Sequence, residues 1–156
     1  MIDLIRTDSA NEDFRTLVVL LDKELHVRDG DDHAFYSQFN KVDELELLGV
    51  VIANIDNEPV GCGAFKKHSD SEAEIKRMFV AKAHRGRRIA AQILTELETW
   101  AAEQGFTACV LETGFNQPEA IALYKRSRYQ TIPNYGQYAY ISSSVCMRKS
   151  NSGITD

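Results

Sequence analysis

A short basic segment interrupts a chain that is acidic overall. Residues 81–88 read Ala-Lys-Ala-His-Arg-Gly-Arg-Arg and hold four Lys or Arg cations, whereas the formal net charge of the 156 residues is −5. A strand-like apolar pattern ends at Val80 and a helical pattern begins near Ile89, so the segment leads into a helix N-terminus. Unpaired backbone N–H groups and a partial positive charge favour phosphate there, and a pyrophosphate site is predicted. A solvated basic turn is the alternative.

The end of this segment resembles a known cofactor-binding motif. Residues 85–90, Arg-Gly-Arg-Arg-Ile-Ala, are similar to the Q/R-x-x-G-x-G/A motif of the GNAT superfamily of acyl-CoA-dependent N-acyltransferases. Residues 74–80 look like the fourth strand of that family, which precedes the motif. Residues 117–124 look like its later helix, which carries a tyrosine. The order of elements agrees with the family over residues 1–148, so the resemblance covers nearly the whole chain.

Some positions depart from the family pattern. Arg88 stands where the motif has its first glycine, Gln117 stands where Asn is usual, and Arg128 with Tyr129 replaces Gly-Phe. Arg88 matters most, because glycine lets the backbone approach the pyrophosphate and a positive φ costs a side chain about 1 to 2 kcal/mol. We therefore expect Arg88 to have a negative φ and its guanidinium to contact a phosphate.

The resemblance implies an N-acetyltransferase that uses acetyl-CoA as its co-substrate and needs no metal. Backbone N–H groups at a strand bulge near residues 78–80 would polarise the thioester carbonyl, and Val80 would pair its backbone with the pantetheine arm. The residues implied in cofactor binding are Met78, Phe79, Val80, Arg85, Gly86, Arg87, Arg88, Ile89, Ala90 and Gln117.

Acetyl transfer to an amine needs a base and an acid. An alkyl ammonium with a pKa of about 10.4 is almost fully protonated at neutral pH, so a carboxylate must remove a proton, directly or through water. Glu74 is the first choice; Glu72 shares its strand face and Glu112 ends the neighbouring strand, so either could share or take the role. Tyr124 is the predicted acid for the departing sulfur. The alternative interpretation is that the three glutamates are solvated strand-end carboxylates and that Tyr124 is an ordinary core residue.

The acceptor is expected to bind at residues 25–40 and 133–144. A cationic amine could be attracted or enclosed there by acidic and aromatic side chains, although a solvated acidic turn and ordinary strand tyrosines explain the same residues: Glu24, Asp29, Asp31, Asp32, Tyr135, Tyr138 and Tyr140. We favour a small-molecule amine over a peptide N-terminus or a protein lysine, because no recognition domain is appended. The competing function is a noncatalytic acyl-CoA-binding or sensing module.

Hydrophobic periodicity outlines the elements that must position these groups. Helices are predicted after a capping box of Ser9 and Glu12, from Asp32 to Asn40, from Ile89 and from Pro118. Strands are predicted at residues 2–6, 48–55, 60–67, 72–80, 108–111, 130–132 and 143–148. The order β-α-α-β-β-β-α-β-α-β-β predicts a mixed α/β fold with a mostly antiparallel, GNAT-like sheet flanked by helices. Residues 1–148 are predicted to form one domain, and residues 149–156 are predicted to form a short polar tail.

Composition narrows the class of protein further. Apolar residues make up 44% and charged residues 26%, and no stretch approaches the roughly 20 apolar residues of a membrane helix, so we expect neither disorder nor a membrane partner. The net charge argues against nucleic acid, and the lack of a targeting pattern predicts a cytoplasmic protein. The sequence leaves open whether the protein forms a homodimer. The three cysteines, Cys62, Cys109 and Cys146, are expected to be buried reduced thiols, and the four histidines lack metal-ligand spacing.

Overall fold

The computed structural model describes residues 1–29 and 46–150. Within them the order of elements agrees with the predicted one, and the predicted helix from Asp32 to Asn40 lies outside the described residues. The strands are β1 (Ile2–Thr7), β2 (Gly49–Ile55), β3 (Glu58–Lys67), β4 (Glu72–Val80), β5 (Ala108–Gly114), β6 (Gln130–Ile132) and β7 (Ser144–Ser150). The helices are α1 (Glu12–Asp29), α2 (Ile89–Glu103) and α3 (Pro118–Arg126).

In the described part of the chain the strands form one seven-stranded sheet in the order β1-β2-β3-β4-β5-β7-β6. All neighbours are antiparallel except β4 and β5, which are parallel. Helix α2 is the crossover between these two, as parallel neighbours require. The predicted fold class, a mixed α/β fold with a mostly antiparallel sheet flanked by helices, is confirmed.

Helices cover both faces of the sheet. Val51 and Ala53 of β2 belong to an apolar cluster that includes α2 and Tyr124 of α3, whereas Val50 and Ile52 belong to a second cluster with α1. Consecutive strand residues point to opposite faces, so α1 lies on one face and α2 and α3 lie on the other. The face that carries α1 is called the α1 face below.

The start of α1 differs from the predicted capping box of Ser9 and Glu12. Asn11 is the cap: its Oδ1 accepts the N–H of Phe14 at 2.9 Å. Asp8 accepts the N–H of Ala10 with its side chain and that of Asn11 with its carbonyl, so residues 8–11 form a turn before the helix begins. That turn moves the capping position from Ser9 to Asn11.

Strand β7 runs two residues beyond the predicted end at Arg148. Lys149 pairs with Cys109 and Ser150 pairs with Ala108 in the ladder between β7 and β5. The Nζ of Lys149 also forms an ion pair with the buried carboxylate of Glu98 at 3.1 Å. The first two residues of the predicted tail therefore belong to the sheet.

Candidate active site

A cleft opens where the two parallel strands diverge. Strands β4 and β5 pair only over residues 72–74 and 108–110. Beyond these pairs β4 continues along β3 and β5 continues along β7, so the edges that face each other are left without a shared ladder. The cleft between them is lined by residues of β4, β5, α1 and α3. Four predicted site residues line it: Met78, Glu112, Gln117 and Tyr124.

A β-bulge shapes the β4 wall of the cleft. Cys62 pairs with Phe79 and Ala64 pairs with Lys76, so two residues of β4 oppose one residue of β3. The bulged residues are Arg77, which has a φ of 59°, and Met78. The bulge thus begins one residue before the predicted segment at 78–80.

Two groups on β3 fit this bulge. The thiol of Cys62 donates a hydrogen bond to the carbonyl of Arg77 at 3.4 Å. Gly63 stands opposite the bulge, where a Cβ would lie 2.5 Å from the sulfur of Met78 and 2.8 Å from a methyl carbon of Leu97 in α2, so a side chain there would have to displace its neighbours.

The basic segment forms the entry to α2. A short 3-10 turn, Lys82–His84, is followed by Gly86 with a φ of 84° and by Arg88, the residue that caps the helix. Arg88 has a φ of 61°, so the predicted negative φ is wrong. The backbone is left-handed at this position, and the side chain bears the steric cost of about 1 to 2 kcal/mol. Arg87 and Arg88 are both exposed beside the helix N-terminus.

Arg85, in contrast, is held by groups of the protein. Its Nε donates to the carbonyl of Val80 at 2.8 Å, and its Nη2 forms an ion pair with Glu24 of α1. The guanidinium also lies 5.6 Å from the centre of the Phe79 ring. Arg85 therefore joins the end of β4 to α1, and the predicted acidic attractor Glu24 is its partner.

The three predicted carboxylates occupy different environments. Glu72 lies at the start of β4 and forms an ion pair with Arg148 at 2.8 Å. Glu74 is only 4% exposed, accepts a hydrogen bond from the Tyr135 hydroxyl at 2.8 Å, and is absent from the described lining of the cleft. Glu112, near the end of β5, lines the cleft. Of the three, Glu112 alone faces the cleft in the described part of the chain.

Glu74, Lys76 and Tyr138 form a buried polar cluster on the α1 face, and the half-buried Glu112 acts electrostatically on Lys76. The Nζ of Lys76 donates to the Tyr138 hydroxyl at 3.3 Å, and Lys76 lines the cleft. Burial lowers the pKa of Lys76, and the charges of Glu74 and Glu112 oppose that shift. The sequence analysis missed Lys76, although its i+2 spacing from Glu74 on a strand indicates a shared face.

Tyr124 lies at the α3 wall of the cleft and is buried. Burial raises the pKa of its hydroxyl, and the charge of Glu112 raises it further, so this hydroxyl is protonated at neutral pH. The ring packs edge-on against Tyr129 with 5.8 Å between centroids. Tyr129 in turn donates to Glu98 at 2.9 Å, and Lys149 neutralises that carboxylate. This buried network holds the ring of Tyr124 in place.

Arg77 is a second site residue that the sequence analysis missed. Its side chain is 1% exposed, lines the cleft, and forms an ion pair with Asp22 of α1 through Nη2. In the part of the chain that the structure describes, its buried Nε has no hydrogen-bond acceptor. Leaving such a donor unsatisfied costs about 1 to 3 kcal/mol.

The remaining predicted acceptor residues divide into separate groups. Tyr135 and Tyr138 are held by the cluster around Glu74 and Lys76, and Tyr140 is exposed. Asp31 and Asp32 lie outside the described residues. The three cysteines are free and buried, as predicted. Among residues 1–29 and 46–150, no group of three or more His, Cys, Asp or Glu side chains could hold a metal ion. None of the described helices combines the length and hydrophobicity needed to cross a bilayer.

Comparison with known proteins gives a family match. The family model described as acetyltransferase (GNAT) family matches residues 11–128. An IAA acetyltransferase of Azospirillum brasilense is 34% identical over 100 residues, which are 64% of this chain and 65% of that protein. An uncharacterized N-acetyltransferase of Bacillus subtilis, YjcF, is 31% identical over 59% of this chain and 64% of its own length. The matches span a little under two thirds of these relatives.

Solved structures share the fold over nearly the whole chain. A provisionally named acyl-CoA N-acyltransferase of Klebsiella pneumoniae has a TM-score of 0.79 and 27% identity, with 96% of this chain and 97% of that chain covered. A GNAT family acetyltransferase of Elizabethkingia anophelis with acetyl-CoA bound has a TM-score of 0.68 at 16% identity, with 96% and 97% covered. At that identity the similarity concerns the fold.

Proposed function

The chain belongs to the acetyltransferase (GNAT) family, and from that premise we propose that it transfers the acetyl group of acetyl-CoA to a primary amine within a ternary complex. The observation that carries the proposal is the cleft between β4 and β5, which brings a bulged backbone, the carboxylate Glu112 and the hydroxyl of Tyr124 to one place. These are the groups that direct attack of an amine on a thioester requires.

Acetyl-CoA binds, in this proposal, from the entry of α2 to the cleft. The pyrophosphate lies against the N-terminus of α2, where Gly86 and the exposed Arg87 and Arg88 precede Ile89 and Ala90. The pantetheine arm runs along the free edge of β4 over residues 78–80 and ends between Met78 and Gln117. No metal takes part in the proposed reaction.

Glu112 is the proposed base. The position of Glu112 in the cleft favours it over Glu74, which is buried beside the cleft and accepts a hydrogen bond from Tyr135. Glu112 removes a proton from the bound ammonium, directly or through water, so that the amine nitrogen can attack the thioester carbon. Glu74 then has a positioning role, because its charge helps to keep the buried Lys76 protonated.

Tyr124 is the proposed acid. The new C–N bond forms as the C–S bond breaks, and the electron pair of that bond leaves with the sulfur, which takes a proton from the Tyr124 hydroxyl. Backbone N–H groups at the bulge of Arg77 and Met78 stabilise the negative charge that develops on the carbonyl oxygen. The position of Tyr124 at the α3 wall of the cleft supports this role, and the hydroxyl carries its proton at neutral pH.

A noncatalytic acyl-CoA-binding module is the second candidate, and Arg88 in the glycine position of the motif favours it. Two measurements separate the functions: calorimetric titration with acetyl-CoA, and release of free thiol from acetyl-CoA with a panel of primary amines. An acetyltransferase binds acetyl-CoA and releases thiol in proportion to amine. Binding without release by any amine would support the module, and absence of binding would contradict both.

A further inference from the structure

The cleft between β4 and β5 has a half on each face of the sheet. Leu111 belongs to the apolar cluster that contains α2, so the side chain of the next residue, Glu112, points to the α1 face. Leu21 and Leu25 of α1 line the cleft on that same face. The part of the cleft that lies on the α1 face is called the α1 half below.

The proposed position of acetyl-CoA leaves the α1 half to the acceptor. Met78 and Tyr124 pack in the cluster that contains α2, and Gln117 caps α3, so these residues line the opposite half of the cleft. The end of the pantetheine arm and the departing sulfur lie there in the proposed function. The amine therefore approaches from the α1 half, where the proposed base Glu112 lies.

The two cations of the described cleft lining are balanced by carboxylates of the protein. Lys76 is 8% exposed, and the charges of Glu74 and Glu112 stabilise its protonated form. The guanidinium of Arg77 forms an ion pair with Asp22, and its side chain is 1% exposed. Neither cation therefore requires an anionic group from the acceptor.

The wall that α1 contributes is apolar and fixed in position. Leu21 and Leu25 are four residues apart, so their side chains are neighbours on the helix surface. Leu21 is buried in the cluster beneath α1, whereas Leu25 is half-buried and packs against that cluster. The ion pairs of Asp22 and Glu24 hold this part of α1 against β4 and the segment that follows it. An apolar chain is stabilised by covering such a wall, at little cost of ordering the protein.

Resting on the proposed function, we propose that the acceptor is an apolar primary amine, whose ammonium lies at Glu112 and whose carbon chain lies against Leu21 and Leu25. A second charged group on the acceptor would lose its water against the leucines, which cannot replace that hydration. The site then prefers a monoamine to a diamine or an amino acid of the same chain length.

A series of acceptors tests the inference. Thiol release from acetyl-CoA is measured with straight-chain amines from ethylamine to hexylamine, and kcat/KM is compared along the series. We expect it to rise about two- to fourfold for each added methylene, the gain that burial of a methylene group supports. A flat or falling series, or thiol release with more polar primary amines alone, would overturn the inference and leave the proposed function standing. If no primary amine releases thiol, the proposed function fails as well.

Hexylamine is also compared with two acceptors of equal chain length, the diamine and the amino acid that carries its carboxylate at the far end. Hexylamine is expected to exceed each of them by about tenfold or more in kcat/KM, because the leucines cannot solvate the far charge. A preference for the diamine or for the amino acid would show that a charged group of the site recognises that end, and it would overturn the inference.

A substitution of Leu25 connects the preference to α1. Leu25→Ala is expected to lower the ratio of kcat/KM for hexylamine to that for ethylamine by about fivefold or more, because part of the apolar wall is lost. Leu20→Ala is the matched control, since Leu20 lies on the same helix, is 44% exposed and is outside the described cleft lining. The control should keep the ratio of the parent protein. An equal ratio in Leu25→Ala and the parent would overturn the inference.

Leu25→Asn covers the case in which the alanine variant does not fold. Asparagine has nearly the shape of leucine, so it leaves little empty volume, and it presents a polar amide to the acceptor chain. The ratio for hexylamine over ethylamine should fall in this variant too, and calorimetric titration with acetyl-CoA shows that the protein is folded. A folded Leu25→Asn variant with the ratio of the parent protein would also overturn the inference.

Discussion

The hydroxyl of Tyr124 can be removed with little effect on packing, because the ring stays against Tyr129 in the phenylalanine variant. Tyr124→Phe is expected to lower turnover by about 10² to 10⁴, equivalent to roughly 2.7 to 5.5 kcal/mol of barrier, since the sulfur loses its proton donor. Affinity for acetyl-CoA should change little. Steady-state and single-turnover rates of thiol release measure the effect.

Tyr129→Phe is the matched control for that variant. It also removes a buried hydroxyl, but this one bonds to Glu98 behind the cleft. Its main effect should be a loss of stability of about 1 to 3 kcal/mol, because Glu98 loses a partner, with turnover changed much less. Equal turnover of Tyr124→Phe and the parent protein would exclude Tyr124 as the acid.

The choice between Glu112 and Glu74 has its own signature in the pH profile. Glu112→Gln should lower turnover most at neutral pH and progressively less toward about pH 10, where the amine loses its proton without a base. Glu74→Gln should produce a smaller defect, because it acts through Lys76 and Tyr135. The measurement is kcat/KM from about pH 6 to pH 10. If Glu74→Gln shows the larger, pH-dependent loss of kcat/KM, Glu74 is the base.

Single residues also show how far the sequence could predict the site. Glu112 was an alternative base because it ends a predicted strand, and Tyr124 was selected from the resemblance to the GNAT superfamily together with its helical spacing; both line the cleft. Arg77 and Asp22 were missed because their contact depends on a bulge with a positive φ and on the packing of α1, and neither has a local signal. Residue type did not show that Glu74 would be buried beside the cleft.

At the scale of elements, the entry of α2 allows the charge and the backbone of Arg88 to be tested separately. Arg88→Ala should weaken acetyl-CoA binding by about 1.5 to 3 kcal/mol if the guanidinium contacts phosphate. Arg88→Gly should weaken binding to a similar degree and be up to about 1 kcal/mol more stable than Arg88→Ala, because glycine accepts the φ of 61° without strain. Calorimetry and urea unfolding provide the two measurements.

Arg126→Ala is the control for charge. Arg126 is the exposed last residue of α3 and lies outside the cleft lining, so its removal should leave acetyl-CoA affinity nearly unchanged. Equal losses in Arg88→Ala and Arg126→Ala would mean that the attraction is general and that Arg88 makes no specific contact.

Element types and order followed from the sequence because they depend on local patterns. The turn at Asp56 and Asn57, for example, has positive φ at both residues, as a tight hairpin requires, and their side-chain types predict it. Helix starts were less certain, because Ser9 and Asn11 are both good caps and a preceding turn decided between them. The divergence of β4 and β5 has no sequence signal, since it is a relation between two distant segments.

For the whole molecule, buried acids predict loss of stability at alkaline pH. Burial raises the pKa of Cys62 and Cys109 to about 12 and of Cys146 to about 11, and it raises the pKa of four tyrosines: Tyr124, Tyr129, Tyr135 and Tyr138. In the unfolded chain these groups lose their protons from about pH 8.5 to 10, whereas in the folded protein they keep them to higher pH. The free energy of unfolding therefore falls as the pH rises above about 8.5. Lys76, with a lowered pKa, opposes this change as a single group.

Cys62→Ala tests the contribution of one thiol. The stability that this variant loses through poorer packing is the same at every pH, and it is measured as the difference in unfolding free energy from the parent protein at pH 7. Between about pH 9 and pH 11 the decline in unfolding free energy should be shallower than in the parent protein, by at most about 1.4 kcal/mol per pH unit. Urea unfolding at each pH gives the slope, and parallel declines would show that Cys62 ionises equally in both states.

The short ladder between β4 and β5 also bears on amide hydrogen exchange. Pairing stops after Glu74, so alternate backbone N–H groups of β4 between Ile75 and Val80 face the cleft instead of a neighbouring strand. The backbone amides on this side of β4, although it is a central strand, are therefore expected to exchange as fast as those of an edge strand until a ligand binds along them. Coenzyme A should slow deuterium uptake in this part of β4 and leave β2, which is paired on both sides, unchanged. If coenzyme A leaves deuterium uptake in β4 unchanged, the pantetheine arm does not bind along this strand.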